Sequence, residues 1–165
     1  MLDLYQPPHY FSAYFIFFSA LMVSVRSDLE TMLISRYVSF FLIPVGFLVS
    51  GLGLLPINLT QSIIGALGGY ALLWGTEKLF FLFTRKEGIG QGDVELLAFI
   101  GSFTGIAGAW LSLLIGSLAG SLIGISYIAL TKSSKNAKIP FGPFLALGAA
   151  CYLFFSEPLL KLLGL

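Results

Sequence analysis

Charge is what this chain has least of. Only 10% of its 165 residues are Asp, Glu, Lys or Arg, while 57% are hydrophobic; a soluble domain carries roughly 25% charged residues. Too few polar side chains remain to cover a water-facing surface, so the expected surroundings are a lipid bilayer. The nine basic and eight acidic residues balance to +1, which leaves no basic patch for a nucleic-acid partner. Cys151 is the single cysteine, which excludes a disulfide framework and a multi-cysteine zinc site. The single histidine, His9, sits in the N-terminal segment, away from the charged loops. That disfavours a serine triad and a histidine-based metal site, and no metal or other cofactor is expected.

What the chain does have is long apolar runs. They fall at about 10–27, 37–55, 61–83, 94–107, 108–130 and 141–163, each near the length that crosses hydrocarbon as a helix. The first has no basic residues before it and no small-residue cleavage site after it, so it reads as a retained helix rather than a signal peptide. The stretch 94–130 is too long for one span, and the small residues Thr104-Gly105-Ile106-Ala107-Gly108 permit a turn within it. The expectation is an all-α polytopic membrane protein of about six helices, forming a single domain over 1–165; without that turn the count is five. Arg26 and Arg36 flank the first loop, Lys78, Arg85 and Lys86 lie at the third, and Lys132, Lys135 and Lys138 fill the fifth. Basic residues mark cytoplasmic loops, which puts loops one, three and five inside and both termini outside. Along the fifth run, Gly108, Ser112, Gly116, Gly120 and Gly124 recur every fourth residue, a small-residue ridge suited to close helix packing. Trp74 and Trp110 read equally as interfacial anchors or lipid-facing residues.

Two carboxylates then stand out. Asp93 lies in Gly88-Ile89-Gly90-Gln91-Gly92-Asp93-Val94-Glu95, where a charged loop enters an apolar helix; Asp28 lies where the first apolar run leaves the membrane. The topology puts both at one membrane face and one depth. Acids there are costly and tend to be functional. Each also has a plainer reading: Asp93 as the N-cap of its helix, Asp28 as a solvated first-turn charge in a capping box of Ser27 and Glu30. Glu30 and Glu95 each stand two residues from an aspartate, a spacing that points them elsewhere, so both read as solvated interface charges. Glu77 and Lys78 read as snorkelling to the headgroups. Two adjacent carboxylates share one proton, which equips one to activate water while the other protonates a carbonyl or a leaving amine. The titration belongs to the pair, so neither role is assigned.

These residues resemble the type IV prepilin peptidases, membrane aspartyl proteases with a Gly-x-Gly-Asp motif. Three blocks carry the resemblance in order: 28–34, starting at Asp28; 88–98, around Asp93; and Ile139-Pro140-Phe141-Gly142-Pro143 running into the last helix. The resemblance implies that Asp28 and Asp93 are the catalytic pair, that Gly90, Gly92, Pro140 and Gly142 support the motif, and that the substrate is a prepilin-like precursor of a pilus or type II secretion system. It implies cleavage of a short basic leader at the cytoplasmic face of a bacterial inner membrane. Pro140 has a plainer reading as a helix-start proline. Many bacterial members carry an N-terminal part with paired cysteines linked to N-methylation; this chain begins at the peptidase helices with one cysteine, so methyltransferase activity is not expected. Ser35-Arg36 and Glu95 stand where the family usually has a proline with an acidic residue, and a lysine. These departures keep open an inactive peptidase-like assembly partner. A small proton-coupled carrier subunit is a further alternative, though it would prefer acids near the bilayer midplane. Oligomeric state is not legible.

Overall fold

The computed structural model describes residues 10–31, 36–85, 90–131 and 140–162, with the side chains at 36–39, 128, 131 and 156–162 outside that description. His9, Ser35, Lys86, Gly88, Ile139 and the Lys132–Lys138 cluster therefore lie outside the described residues, as does the Arg36 side chain. The elements are all helical: α1 (Tyr10–Thr31), α2 (Arg36–Gly51), α3 (Leu59–Thr84), α4 (Gln91–Thr131) and α5 (Gly142–Leu162). Inside α4 the backbone leaves helical geometry at Gly105, with φ 74° and ψ −177°. Only glycine takes such angles readily. The break falls within the 104–108 stretch where the sequence places a boundary, so α4 has an N-terminal arm before Gly105 and a C-terminal arm after it.

Tyr10–Thr31 and Gln91–Tyr127 are each long and apolar enough to cross a bilayer. Large apolar side chains also stand outward along every helix, among them Phe11, Met22, Phe41, Leu67, Leu118 and Leu147. Water would reject so continuous an apolar surface; hydrocarbon accepts it.

Two kinds of contact hold the helices. Between α3 and α4 the contact is backbone on backbone. A Cβ at Gly65 would collide with the Gly101 carbonyl, one at Gly101 with the Gly65 carbonyl, and one at Gly69 would lie 2.6 Å from the Leu97 carbonyl oxygen. The Ser62 hydroxyl donates to the Ser102 carbonyl across the same seam. This is close small-residue packing of the membrane type. The ridge on the C-terminal arm of α4 packs in the same way, as its spacing suggests: a Cβ at Gly116 would lie 3.0 Å from the Phe144 carbonyl oxygen of α5, and one at Gly148 would lie 2.5 Å from that of Ser112.

The second contact is aromatic. Phe17 of α1 stacks on Phe99 with centroids 5.4 Å apart and meets Phe103 at 5.2 Å, while Phe99 and Phe103 meet edge-on at 5.1 Å. Rings thus span the gap between α1 and the N-terminal arm of α4. The buried stripe of α1 runs Ala13, Phe17, Ala20, Leu21, Ser24, Asp28, a helical spacing that brings Asp28 onto the same face as Phe17.

Candidate active site

The sequence singles out Asp28 but places it past the end of the first helix. α1 continues to Thr31, so Asp28 sits in its last turn rather than beyond its end. It is 5% exposed. The capping box does not form, because Ser27 and Glu30 belong to the end of α1 and not to a helix start. Glu30 instead pairs with Arg26 at 2.8 Å on the exposed face, as a solvated charge would.

Asp93 is not the N-cap either. α4 begins at Gln91, and the Asp93 amide donates to the Gly90 carbonyl at 3.1 Å, which makes Gly90 the cap and Asp93 the third helical residue. From that position a carboxylate folds back toward the cap amide, and the Asp93 carboxylate does interact with the Gly90 backbone amide. Glycine at position 90 leaves room for this: a Cβ there would stand 3.1 Å from Asp93 Oδ2. Gly92 lies half-buried in the same turn. Asp93 Oδ1 is buried and has no hydrogen-bond partner among the described residues.

The two carboxylates come within electrostatic range of each other, although 65 residues separate them in sequence. The aromatic contact explains how. Asp28 lies 11 residues after Phe17, and Phe103 lies 10 residues after Asp93. At about 1.5 Å per residue, each aspartate is roughly 15–17 Å along its helix from the shared rings. On antiparallel helices those lengths coincide, so stacking the rings sets the carboxylates at one level.

A third helix closes the site. The amide of Gly142, the first residue of α5, donates to Asp28 Oδ2 at 2.9 Å, and this hydrogen bond is buried. Each aspartate therefore has one oxygen near a glycine amide at a helix start. Pro140 is half-buried just before α5. The sequence marks the segment through its bracketing prolines but carries no sign that its amide faces Asp28.

Glu95 corrects the sequence reading. It is 6% exposed rather than solvated, because the first turns of α4 are enclosed on all sides: Val94, Leu96, Leu97, Phe99 and Ile100 are each 0% exposed. Hydropathy sees a helix start at a membrane face and cannot see that neighbouring helices surround it. Lys78 places its ammonium 5.8 Å from the Trp74 ring centre, a cation–π contact that the sequence leaves unremarked.

Comparison with known proteins puts this arrangement in context. Residues 15–125, which include both aspartates, match the type IV leader peptidase family. A prepilin leader peptidase/N-methyltransferase of Aeromonas hydrophila is 36% identical over 134 residues, covering 81% of this chain and 46% of the relative. A protein of the same name from Burkholderia pseudomallei strain 1026b is 34% identical over 163 residues, 99% of this chain and 52% of the relative. One from Pseudomonas aeruginosa is 34% identical over 116 residues, 70% and 40% respectively. The chain thus spans about half the length of the curated relatives it matches. No solved structure matches it.

Proposed function

The chain belongs to the type IV leader peptidase family, and we propose that it is a membrane aspartyl endopeptidase that removes the leader of a prepilin-like precursor. The observation that carries this reading is that Asp28 and Asp93 lie within electrostatic range at one end of the helix bundle, each with one oxygen on a backbone amide and Asp93 Oδ1 buried without a partner among the described residues. A buried acid that repels a half-buried one beside it is a poor structural device. It is a good proton-sharing one.

The chemistry needs one proton on the pair and one water. The ionised carboxylate takes a proton from water as the water oxygen bonds to the scissile carbonyl carbon, and the protonated partner gives its proton to the carbonyl oxygen. The resulting gem-diol collapses as the carbon–nitrogen bond breaks. The first carboxyl returns its proton to the departing amine, and the second recovers one from the diol hydroxyl. The dyad ends as it began, with no covalent intermediate.

The membrane setting gives the substrate a shape. A basic leader followed by an apolar helix would lodge its helix in the bilayer and present the junction at the level of the carboxylates. Helical carbonyls are engaged in hydrogen bonds, so the cleaved bond has to leave its helix, and a glycine before the cut makes that easier. We place this face on the cytoplasmic side of a bacterial inner membrane, with six spans and both termini outside, from the distribution of basic residues. The proposal covers leader cleavage and assigns no residue to methyl transfer.

The test is processing of a tagged prepilin in membranes. Asp28→Asn and Asp93→Asn, each inserted and expressed at the wild-type level, are expected to leave no mature product. Processing that survives either substitution would refute the dyad. A wild type that cuts none of several candidate prepilins would favour an inactive assembly partner.

A further inference from the structure

The start of α5 is built to offer a single hydrogen-bond donor, and Asp28 receives it. A helix leaves its first amides without intrahelical acceptors. Here Phe144 and Leu145 both donate to the Phe141 carbonyl, at 3.0 and 3.2 Å, and Pro143 has no N–H to give. Within the first turn only the Gly142 amide remains, and it lies 2.9 Å from Asp28 Oδ2.

The residue types around it serve that outcome. Pro143 disfavours helical geometry in the residue before it, partly through a clash with that residue's Cβ. Gly142 has no Cβ, so it enters the helix without that clash. The end of the helix that it opens carries partial positive charge, whereas Asp28 sits in the last turn of α1, where its own helix presents carbonyls and partial negative charge. A carboxylate at that end gains nothing from its own helix and depends on a donor from elsewhere. Among the described residues the charged groups near it do not supply one: Arg26 points to the exposed face with Glu30, and Asp93 on α4 is itself an acid.

We infer that the backbone amide of Gly142 is the positioning group for the cleavage reaction: it occupies Asp28 Oδ2, fixes the plane of the carboxylate, and leaves Oδ1 as the oxygen that meets water and Asp93. This inference rests on the peptidase reading and adds to it. Without the amide the Asp28 carboxyl is free to rotate, and its approach to the attacking water is no longer set. The resemblance marks Gly142 only as a supporting residue; the contact of its amide with Asp28 is what assigns it a role.

The experiment compares two amide-to-ester changes at the start of α5 in the full chain, reconstituted in nanodiscs with a prepilin substrate. Replacing the Gly142 amide by an ester, through translational incorporation of glycolic acid, removes the N–H that reaches Asp28 and keeps the shape. Replacing the Phe144 amide by an ester, through phenyllactic acid, removes an N–H that donates to the Phe141 carbonyl instead. The Gly142 ester is expected to lower kcat by roughly 10–100-fold, the scale of one hydrogen bond to a charged group, with KM unchanged, while the Phe144 ester retains most of kcat. Thermal unfolding of each variant reports any packing loss separately. A Gly142 ester with wild-type kcat would overturn the inference; so would equal kcat losses in both variants that track their thermal destabilisation, because a purely structural role predicts that. Asp28→Asn in the same assay separates the two levels. If it is inactive while the Gly142 ester is fully active, the dyad stands and the positioning role fails; if Asp28→Asn is active, the dyad itself fails.

Discussion

The two arms of α4 are both rich in large apolar side chains and have opposite surroundings. In the N-terminal arm, Val94, Leu96, Leu97, Phe99 and Ile100 are each 0% exposed; in the C-terminal arm, Leu118 is 65%, Leu122 71% and Leu130 85% exposed. One arm is the centre of the bundle, ringed by α1, α2 and α3. The other faces α5 on one side and lipid on the rest. Asp93 of the proposed dyad belongs to the first. A carboxylate that must share a proton with a partner on another helix needs a rigid, crowded support, and the buried arm provides it. The exposed arm keeps its contact narrow, along the ridge of small residues, and spends its large side chains on the bilayer.

If that contrast is correct, the largest effect of any packing change falls on Gly101. Its missing Cβ is what lets α3 lie against α4, and the atoms it would strike are the Gly65 carbonyl and the Ala66 amide nitrogen. Backbone cannot rotate away as a side chain can. Gly101→Val is expected to yield no folded protein after detergent extraction, whereas the exposed glycine-free positions of the C-terminal arm tolerate similar changes. A Gly101→Val variant that extracts and migrates like wild type would show that the seam is not tight.

The aromatic contact comes next. Phe99→Ala removes the ring that stacks on Phe17 and meets Phe103, leaving a cavity between α1 and α4. Deletions of this kind cost roughly 3–5 kcal/mol, and the same change loosens the element that sets Asp28 level with Asp93, so processing should fall along with stability. Leu122→Ala on the other arm replaces one lipid contact with another and is expected to change stability by no more than about 0.5 kcal/mol. Denaturation of both variants in the same detergent checks the pair, and equal losses would erase the distinction between the arms.

Hydropathy and charge were enough to read an all-helical chain, the approximate ends of its apolar runs and the two aspartates that share one end of the bundle. Gly105 was legible because a turn needs small residues, and the ridge from Gly108 to Gly124 because its period is helical. What escaped was whatever depends on neighbours. Glu95 resembles a headgroup charge until the bundle is packed around it. Asp28 resembles a solvated first-turn charge until α1 is seen to carry on to Thr31. The Gly142 amide was unreadable for a different reason: a backbone donor has no letter of its own, so the resemblance could mark the residue without showing the contact its N–H makes.

The finest test of the comparison uses serine. Ser62 donates its hydroxyl across the α3–α4 seam to the Ser102 carbonyl and is 0% exposed. Ser126, on the lipid-facing arm, donates to the Leu122 carbonyl of its own helix at 2.7 Å and is exposed. Interhelical side-chain hydrogen bonds in membranes average about 0.6 kcal/mol and reach about 1.7. Ser62→Ala should lose an amount in that range, because the seam leaves no room for another donor to take its place. Ser126→Ala should lose almost nothing, since the Leu122 carbonyl keeps its backbone partner and no second helix is involved. The two substitutions delete the same atom from the same residue type. A difference between them therefore measures the surroundings alone, and an equal response would mean that the buried seam holds by backbone contact without help from its hydroxyl.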